Sequence, residues 1–221
     1  MHKEKALLSK KLLLSVCTLA LLPASLHAMN ASLITMGKDT SQVVLIANSI
    51  EDEAQGFISN LSEQGIGFLQ NKDISQEERE KEFRKLLQNN FDMKTIGRFA
   101  LGRYWKTSSK EQQNEYLDLF ENMIVNVYSR RFSEYNGEAL TVKSARPEGK
   151  ADVLVQSSII PANGSEVSVD WRVRKKKNGQ FKVIDIMVEG VSMSLTQRSD
   201  FASVIQRGGG NIDVLLAHLR K

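Results

Sequence analysis

Residues 167–188 read Val-Ser-Val-Asp-Trp-Arg-Val-Arg-Lys-Lys-Lys-Asn-Gly-Gln-Phe-Lys-Val-Ile-Asp-Ile-Met-Val. Val167, Val169, Trp171 and Val173 alternate strictly with Ser168, Asp170, Arg172 and Arg174. That period of two belongs to a strand with one buried face and one wet face. Phe181 to Val188 returns as its partner, and Asn178-Gly179 between them suits the positive φ angles of a type I′ hairpin turn. Just upstream, Ala151, Val153, Val155, Ser157 and Ile159 mark one face of another strand, and Pro161 to Ser165 form a turn. A sheet is therefore expected over residues 139–190.

The chain before the sheet reads as helix, over residues 40–135. Val43, Ile46, Ala47, Ile50, Ala54, Phe57, Ile58 and Leu61 recur at spacings of three and four until Gly65 and Gly67 interrupt them. Ser75 with Glu78 forms a capping box, Asp92 caps a helix that closes near Gly102, and Ser108 with Glu111 forms a second box. The second box opens the longest apolar stripe, from Tyr116 through Leu119, Phe120, Met123, Ile124, Val127 and Tyr128 to Phe132. After Glu189-Gly190 an irregular turn leads to C-terminal helices within 194–220. Helices followed by consecutive antiparallel strands indicate an α+β fold. The stripe from Tyr116 to Phe132 is the expected cover for the apolar face of the sheet.

Residues 1–28 have the form of a cleaved secretory signal: Lys3, Lys5, Lys10 and Lys11, an apolar run from Leu12 to Leu22, then Pro23 to Ala28. The run is shorter than the roughly 20 residues a bilayer span needs. Cys17, preceded by bulky Val16, reads as one more apolar residue of the signal rather than a lipid anchor. A cut after Ala28 removes those four lysines and Glu4, lowering the formal charge from +4 to +1. Residues 29–221 are then expected to form one domain. That chain has no cysteine and one histidine, His218. Disulfides, thiolate chemistry, a Ser-His-Asp triad and the usual zinc sites are all disfavoured. The small charge, without aromatic-basic interleaving, argues against nucleic-acid binding.

Several separated blocks then bring a family into view. Phe91-Asp92 followed by Arg98-Phe99-Ala100-Leu101-Gly102-Arg103-Tyr104-Trp105 resembles a block of the MlaC family. So do Gln112 to Phe120 with Tyr128, Asp185 to Met193, and Arg198, Phe201 and the glycines 208–210. Ser194-Leu195-Thr196-Gln197 departs from the family, which usually has an Asn-Tyr pair before the arginine, and Phe181 stands where tryptophan is common. The resemblance implies a periplasmic phospholipid-binding shuttle with an NTF2-like antiparallel sheet packed against helices and an added helical subdomain. It also implies exchange with an outer-membrane lipoprotein–porin complex and with the substrate-binding component of an inner-membrane ABC transporter. A monomer is the simplest state for such a shuttle, and bound phospholipid is its cargo, with no cofactor.

The physical demand on a lipid carrier matches this reading. Each acyl methylene exposed to water costs about 0.8 kcal/mol, so a chain of about 15 costs on the order of 12 kcal/mol. The carrier needs a dry apolar cavity and no catalytic groups. The residues expected to line one between sheet and helices are Phe120, Ile124, Val127, Tyr128, Val153, Val155, Val169, Trp171, Val173, Phe181, Val183, Val191 and Met193. If sheet and helices interdigitate instead, the same residues make a solid core, and periodicity does not separate the two cases. Arg98, Arg103 and Arg198 are candidates for head-group or partner contact, and the basic run Lys175 to Lys177 for docking. Two rivals remain: a chaperone binding unfolded polypeptide in an open groove, and an NTF2-like enzyme using Asp185 as a buried carboxylate base.

Overall fold

The computed structural model describes residues 49–71, 73–132, 135–161 and 164–221. The expected signal, with its cut after Ala28, and the start of the first helical stripe lie outside them.

The alternation in 167–188 becomes the strands β3 (Val167–Lys175) and β4 (Phe181–Val188), in antiparallel pairing. β1 (Leu140–Glu148), β2 (Asp152–Ile159) and the short β5 (Val191–Ser192) complete a sheet ordered β1-β2-β3-β4-β5. Each strand follows its neighbour in sequence, so hairpins alone build the sheet. Seven helices accompany it among the described residues: α1 (Ile50–Gln70), α2 (Gln76–Asn90), α3 (Met93–Leu101), α4 (Tyr104–Thr107), α5 (Lys110–Ser129), α6 (Met193–Arg207) and α7 (Ile212–Leu219). The α+β class expected from the sequence is the one observed.

Local details depart from the sequence reading in instructive ways. Gly65 and Gly67 do not break α1, which runs on to Gln70; single glycines cost a helix only about 1 kcal/mol each. The second capping box is Ser109 with Gln112, one residue later than expected. The turn at Asn178-Gly179 has only Gly179 at positive φ and closes with a Gly179 N–H to Lys176 C=O bond of 2.9 Å, so it is not type I′. The turn with two positive φ angles is Glu189-Gly190, at 50° and 76°; it makes a tight hairpin into β5, and the helix from Met193 follows directly, where an irregular turn was expected. Glu189 tolerates this because its carboxylate accepts the Ser168 N–H and its own N–H donates to the Ser168 carbonyl.

The larger correction concerns which helix covers the sheet. Val153, Val155, Val173, Phe181 and Val183 form a core with Ala54, Ile58 and Leu61 of α1. Tyr116 and Phe120 of α5 belong to a different core, with Ala100 and Leu101 of α3, Phe201 and Ile205 of α6, and Ile212, Leu215 and Leu216 of α7. The stripe from Tyr116 to Ile124 is consumed by helix–helix packing, because α3, α6 and α7 present apolar faces of their own to it. Three rings bind that helical core: Tyr116, Phe120 and Phe201, with centroids 5.8, 5.9 and 6.1 Å apart.

The basic turn of the β3–β4 hairpin ties sheet to helices. Lys175 pairs with Glu53 of α1 and Lys176 with Asp92, the N-cap of α3, while Lys182 donates to the C-terminal carbonyls of α2 at Gln88 and Asn89. Most of the expected docking run is therefore engaged within the chain. Asp92 also accepts from the Thr95 backbone at 3.0 Å and its hydroxyl at 2.7 Å. Burial pushes the Asp92 carboxyl up, but Lys176 and Thr95 outweigh it and hold the group below its usual value. A depressed folded value means that the ionised form stabilises folding. The contribution is complete above the unfolded value of about 3.9 and is lost as pH falls through the folded one. Asn caps a helix as well as Asp does, so Asp92→Asn removes the charge and spares the cap. The variant should be about 1 kcal/mol less stable near neutrality. The difference should shrink steadily as pH falls below the unfolded value of about 3.9, in urea titrations across pH.

Candidate functional site

The apolar sheet face is assembled by register. Val153, Val173 and Val183 stand opposite one another, as do Val155, Trp171 and Ile186. A β-bulge between Arg172 and Val173 allows this, because the unpaired residue on β4 brings both Val183 and Ile186 to one face although they are three apart. Val155, Val173 and Val183 have no exposed surface, nor do Ala54 and Ile58 facing them. Phe57 of α1 stacks on Phe181 with centroids 5.9 Å apart. Sheet and α1 interdigitate here. One polar spot interrupts the face: the Trp171 Nε1–H donates to Ser157 Oγ at 3.0 Å, and the Ser157 hydroxyl donates in turn to the Val169 carbonyl.

Thus the structure brings Val153, Val155, Val169, Trp171, Val173, Phe181 and Val183 together on one sheet face, and it does not bring the others to them. Phe120 lies in the helical core, with Ile124 packed against its margin. Val127 and Tyr128 sit on the outer side of α5, 48% and 39% exposed. Tyr128 there joins an aromatic cluster in which Phe83 and Phe132 lie 5.2 Å apart and Phe68 and Phe132 5.7 Å apart. Val191 is exposed on β5, and Met193 starts α6. Sequence reasoning missed Ala54, Ile58 and Leu61 as the counterpart of the sheet. Their stripe was visible, but nothing in it named its partner.

The arginines gather elsewhere. Arg98 is exposed on α3, the Arg103 guanidinium lies 5.0 Å over the Tyr104 ring, and that of Arg198 lies 5.2 Å over Phe99. Gly102 between them has φ 61° and ψ −130°, open only to glycine, and a Cβ there would come within 2.9 Å of Arg198 Nε. Two surface depressions are distinct from all of these. One of about 310 Å³ is lined by Phe91, Asp92, Lys94, Lys176 and Lys182 among others, and one of about 410 Å³ by Val204, Val214 and His218 among others.

Asp185 shows what the bulge does to a would-be catalytic carboxylate. Simple alternation from Val183 would aim it into the apolar face; the bulge pairs it with Arg172 on the opposite face instead. It is 6% exposed and fully engaged. It accepts from the backbone of Ile186 at 3.0 Å, from the backbone of Ser194 at 3.1 Å and from the Ser192 hydroxyl at 2.6 Å. Ser192 is itself the N-cap of α6 and accepts from Leu195 N–H. Asp185 therefore anchors α6 to the sheet. Asp185→Ala strands these buried donors and should cost about 2–4 kcal/mol, read by denaturant unfolding. A carboxylate reserved for catalysis would instead be dispensable for stability. Among the described residues no cluster of His, Cys, Asp and Glu could hold a metal ion, and no helix is long and apolar enough to cross a membrane.

Comparison with known proteins places this geometry. Residues 59–221 match the family model described as MlaC protein. The intermembrane phospholipid transport system binding protein MlaC of Haemophilus influenzae is 26% identical over 133 residues, 59% of this chain and 61% of that protein. The toluene tolerance protein ttg2D of Pseudomonas putida is 24% identical over 111 residues, 50% of this chain and 51% of that protein. The aligned stretches thus span less than two-thirds of both relatives. A phospholipid-binding protein of Ralstonia solanacearum, solved in complex with a phospholipid, superposes with a TM-score of 0.66 at 26% identity. That likeness covers 76% of this chain and 94% of that one. With the family model matching most of its length and the fold matching as well, the chain belongs to the MlaC family.

Proposed function

We propose that this protein is a periplasmic carrier of phospholipid, exported by the signal in residues 1–28, that seats acyl chains between α1 and the apolar face of the sheet. It takes up and delivers lipid at the substrate-binding component of an inner-membrane ABC transporter and at an outer-membrane lipoprotein–porin complex. The carrying observation is the second core: one helix on one sheet face, separate from the helical core, with Ser157 as the one buried polar side chain on that face and its hydrogen bonds kept within the sheet. Such an interface parts without stranding hydrogen-bond donors, and an acyl chain replaces the lost contacts with equivalent ones. Polar ties such as Glu53 with Lys175 stay at its rim. The role of the Haemophilus influenzae relative in phospholipid transport, and the phospholipid in the similar solved structure, support the same reading. An open polypeptide-binding groove has no counterpart on this face, where the contact surfaces are closed on each other.

Protein recovered from the periplasm should yield phospholipid in about stoichiometric amount on solvent extraction and mass spectrometry. Protein that is lipid-free and also takes up none from labelled vesicles sinks the proposal.

A further inference from the structure

Residues 93–110 contain Lys94, Arg98, Arg103, Lys106 and Lys110 and not one acidic residue. Arg98, Arg103 and Arg198 take part in no ion pair among the described residues, whereas Lys143, Arg146, Arg172, Arg174 and Lys175 of the sheet are each paired with a carboxylate. Aromatic rings hold two of them in place without neutralising them: Tyr104 under Arg103, and Phe99 under Arg198. Beside these charges stand two large apolar side chains in water, Phe99 at 43% and Leu195 at 57% exposure. Leu195 lies one turn before Arg198, so both leave α6 on the same side. The packing of α3 on α6 thus makes a cationic-apolar patch, distinct from the α1–sheet interface.

We propose that this patch docks the protein on the surface of an anionic phospholipid bilayer, with Phe99 and Leu195 entering the head-group layer and the three arginines meeting phosphates. The charge is complementary, and residues 93–110 offer donors and cations without any acidic acceptor. A bilayer asks for that, because its phosphates have no fixed pattern; a folded partner presents donors as well as acceptors across its interface. Two large apolar side chains exposed beside unpaired cations suit shallow insertion into a head-group layer. The inference does not depend on where acyl chains are held.

Flotation with vesicles rich in phosphatidylglycerol tests it, with phosphatidylcholine vesicles alongside. The protein should float with the first and not the second, and salt well above physiological strength should release it. Each arginine near an anionic surface contributes about fivefold. Arg98→Gln/Arg103→Gln/Arg198→Gln should therefore weaken binding on the order of a hundredfold, and Arg98→Gln/Arg103→Gln alone about thirtyfold. The double variant keeps the test intact should loss of Arg198, which packs on Phe99, prevent folding. Phe99→Ser/Leu195→Ser should lower binding at any salt. Absence of binding by the unaltered protein overturns the proposal. So does equal binding to both vesicle types, or undiminished binding by the folded arginine variants.

Discussion

Bridging α1 to β3 abolishes phospholipid uptake. Glu53→Cys and Lys175→Cys replace an ion pair at the rim of the interface, where both side chains are part exposed at 39% and 34%, so the substitutions leave the core alone. Residues 29–221 contain no other cysteine, and a short bis-maleimide will join only these two. The reason to expect a complete loss is spatial. Ala54, Ile58, Val155, Val173 and Val183 have no exposed surface. An acyl chain worth on the order of 12 kcal/mol in avoided hydration enters only if helix and sheet separate. Uptake of labelled lipid should fall to the level of vesicles without protein, and the double variant before bridging should load normally. The surface pair itself is worth at most about 1 kcal/mol. Undiminished loading of the bridged protein overturns seating between α1 and the sheet.

The second large effect is on stability. Phe120→Ala should cost about 3–5 kcal/mol, read by denaturant unfolding, a large share of the 5–15 kcal/mol typical of a folded domain. Phe120 is 1% exposed and stacks on Tyr116 and edge-on to Phe201. The cavity left behind cannot collapse, since Tyr116 is fixed by its hydroxyl donating to the Gly97 carbonyl at 2.9 Å. Burial pushes that phenol far above its usual value, so it remains a donor at any working pH. Phe120 was also a candidate to touch lipid, and the two roles predict opposite results. A pocket wall tolerates truncation with little loss of stability and changed binding; a core residue does not.

The sequence carried whatever depends on near neighbours along the chain. Alternation at 167–173 and 181–183 named two strands and their apolar sides, because successive strand residues must point to opposite faces. Ser75 with Glu78 and Asp92 announced helix starts, since unsatisfied N–H groups need an acceptor within three residues. The blocks from Phe91 to Trp105 and from Asp185 to Met193 carried the family. What needed the tertiary structure was every pairing between distant segments. The stripe Tyr116–Phe132 and the stripe Ala54–Leu61 are equally apolar, and periodicity says that each must be covered without saying by what. Only the packed chain sends the first, from Tyr116 to Ile124, to α3, α6 and α7, its end at Tyr128 and Phe132 to Phe83 and Phe68, and the second stripe to the sheet. The extra residue on β4, Ile184, likewise has no local signature, yet it decides that Asp185 leaves the apolar face and anchors α6. Local rules are set by covalent geometry and act within a few residues. The choice between equivalent apolar partners is made by shape, which exists only once the chain has folded.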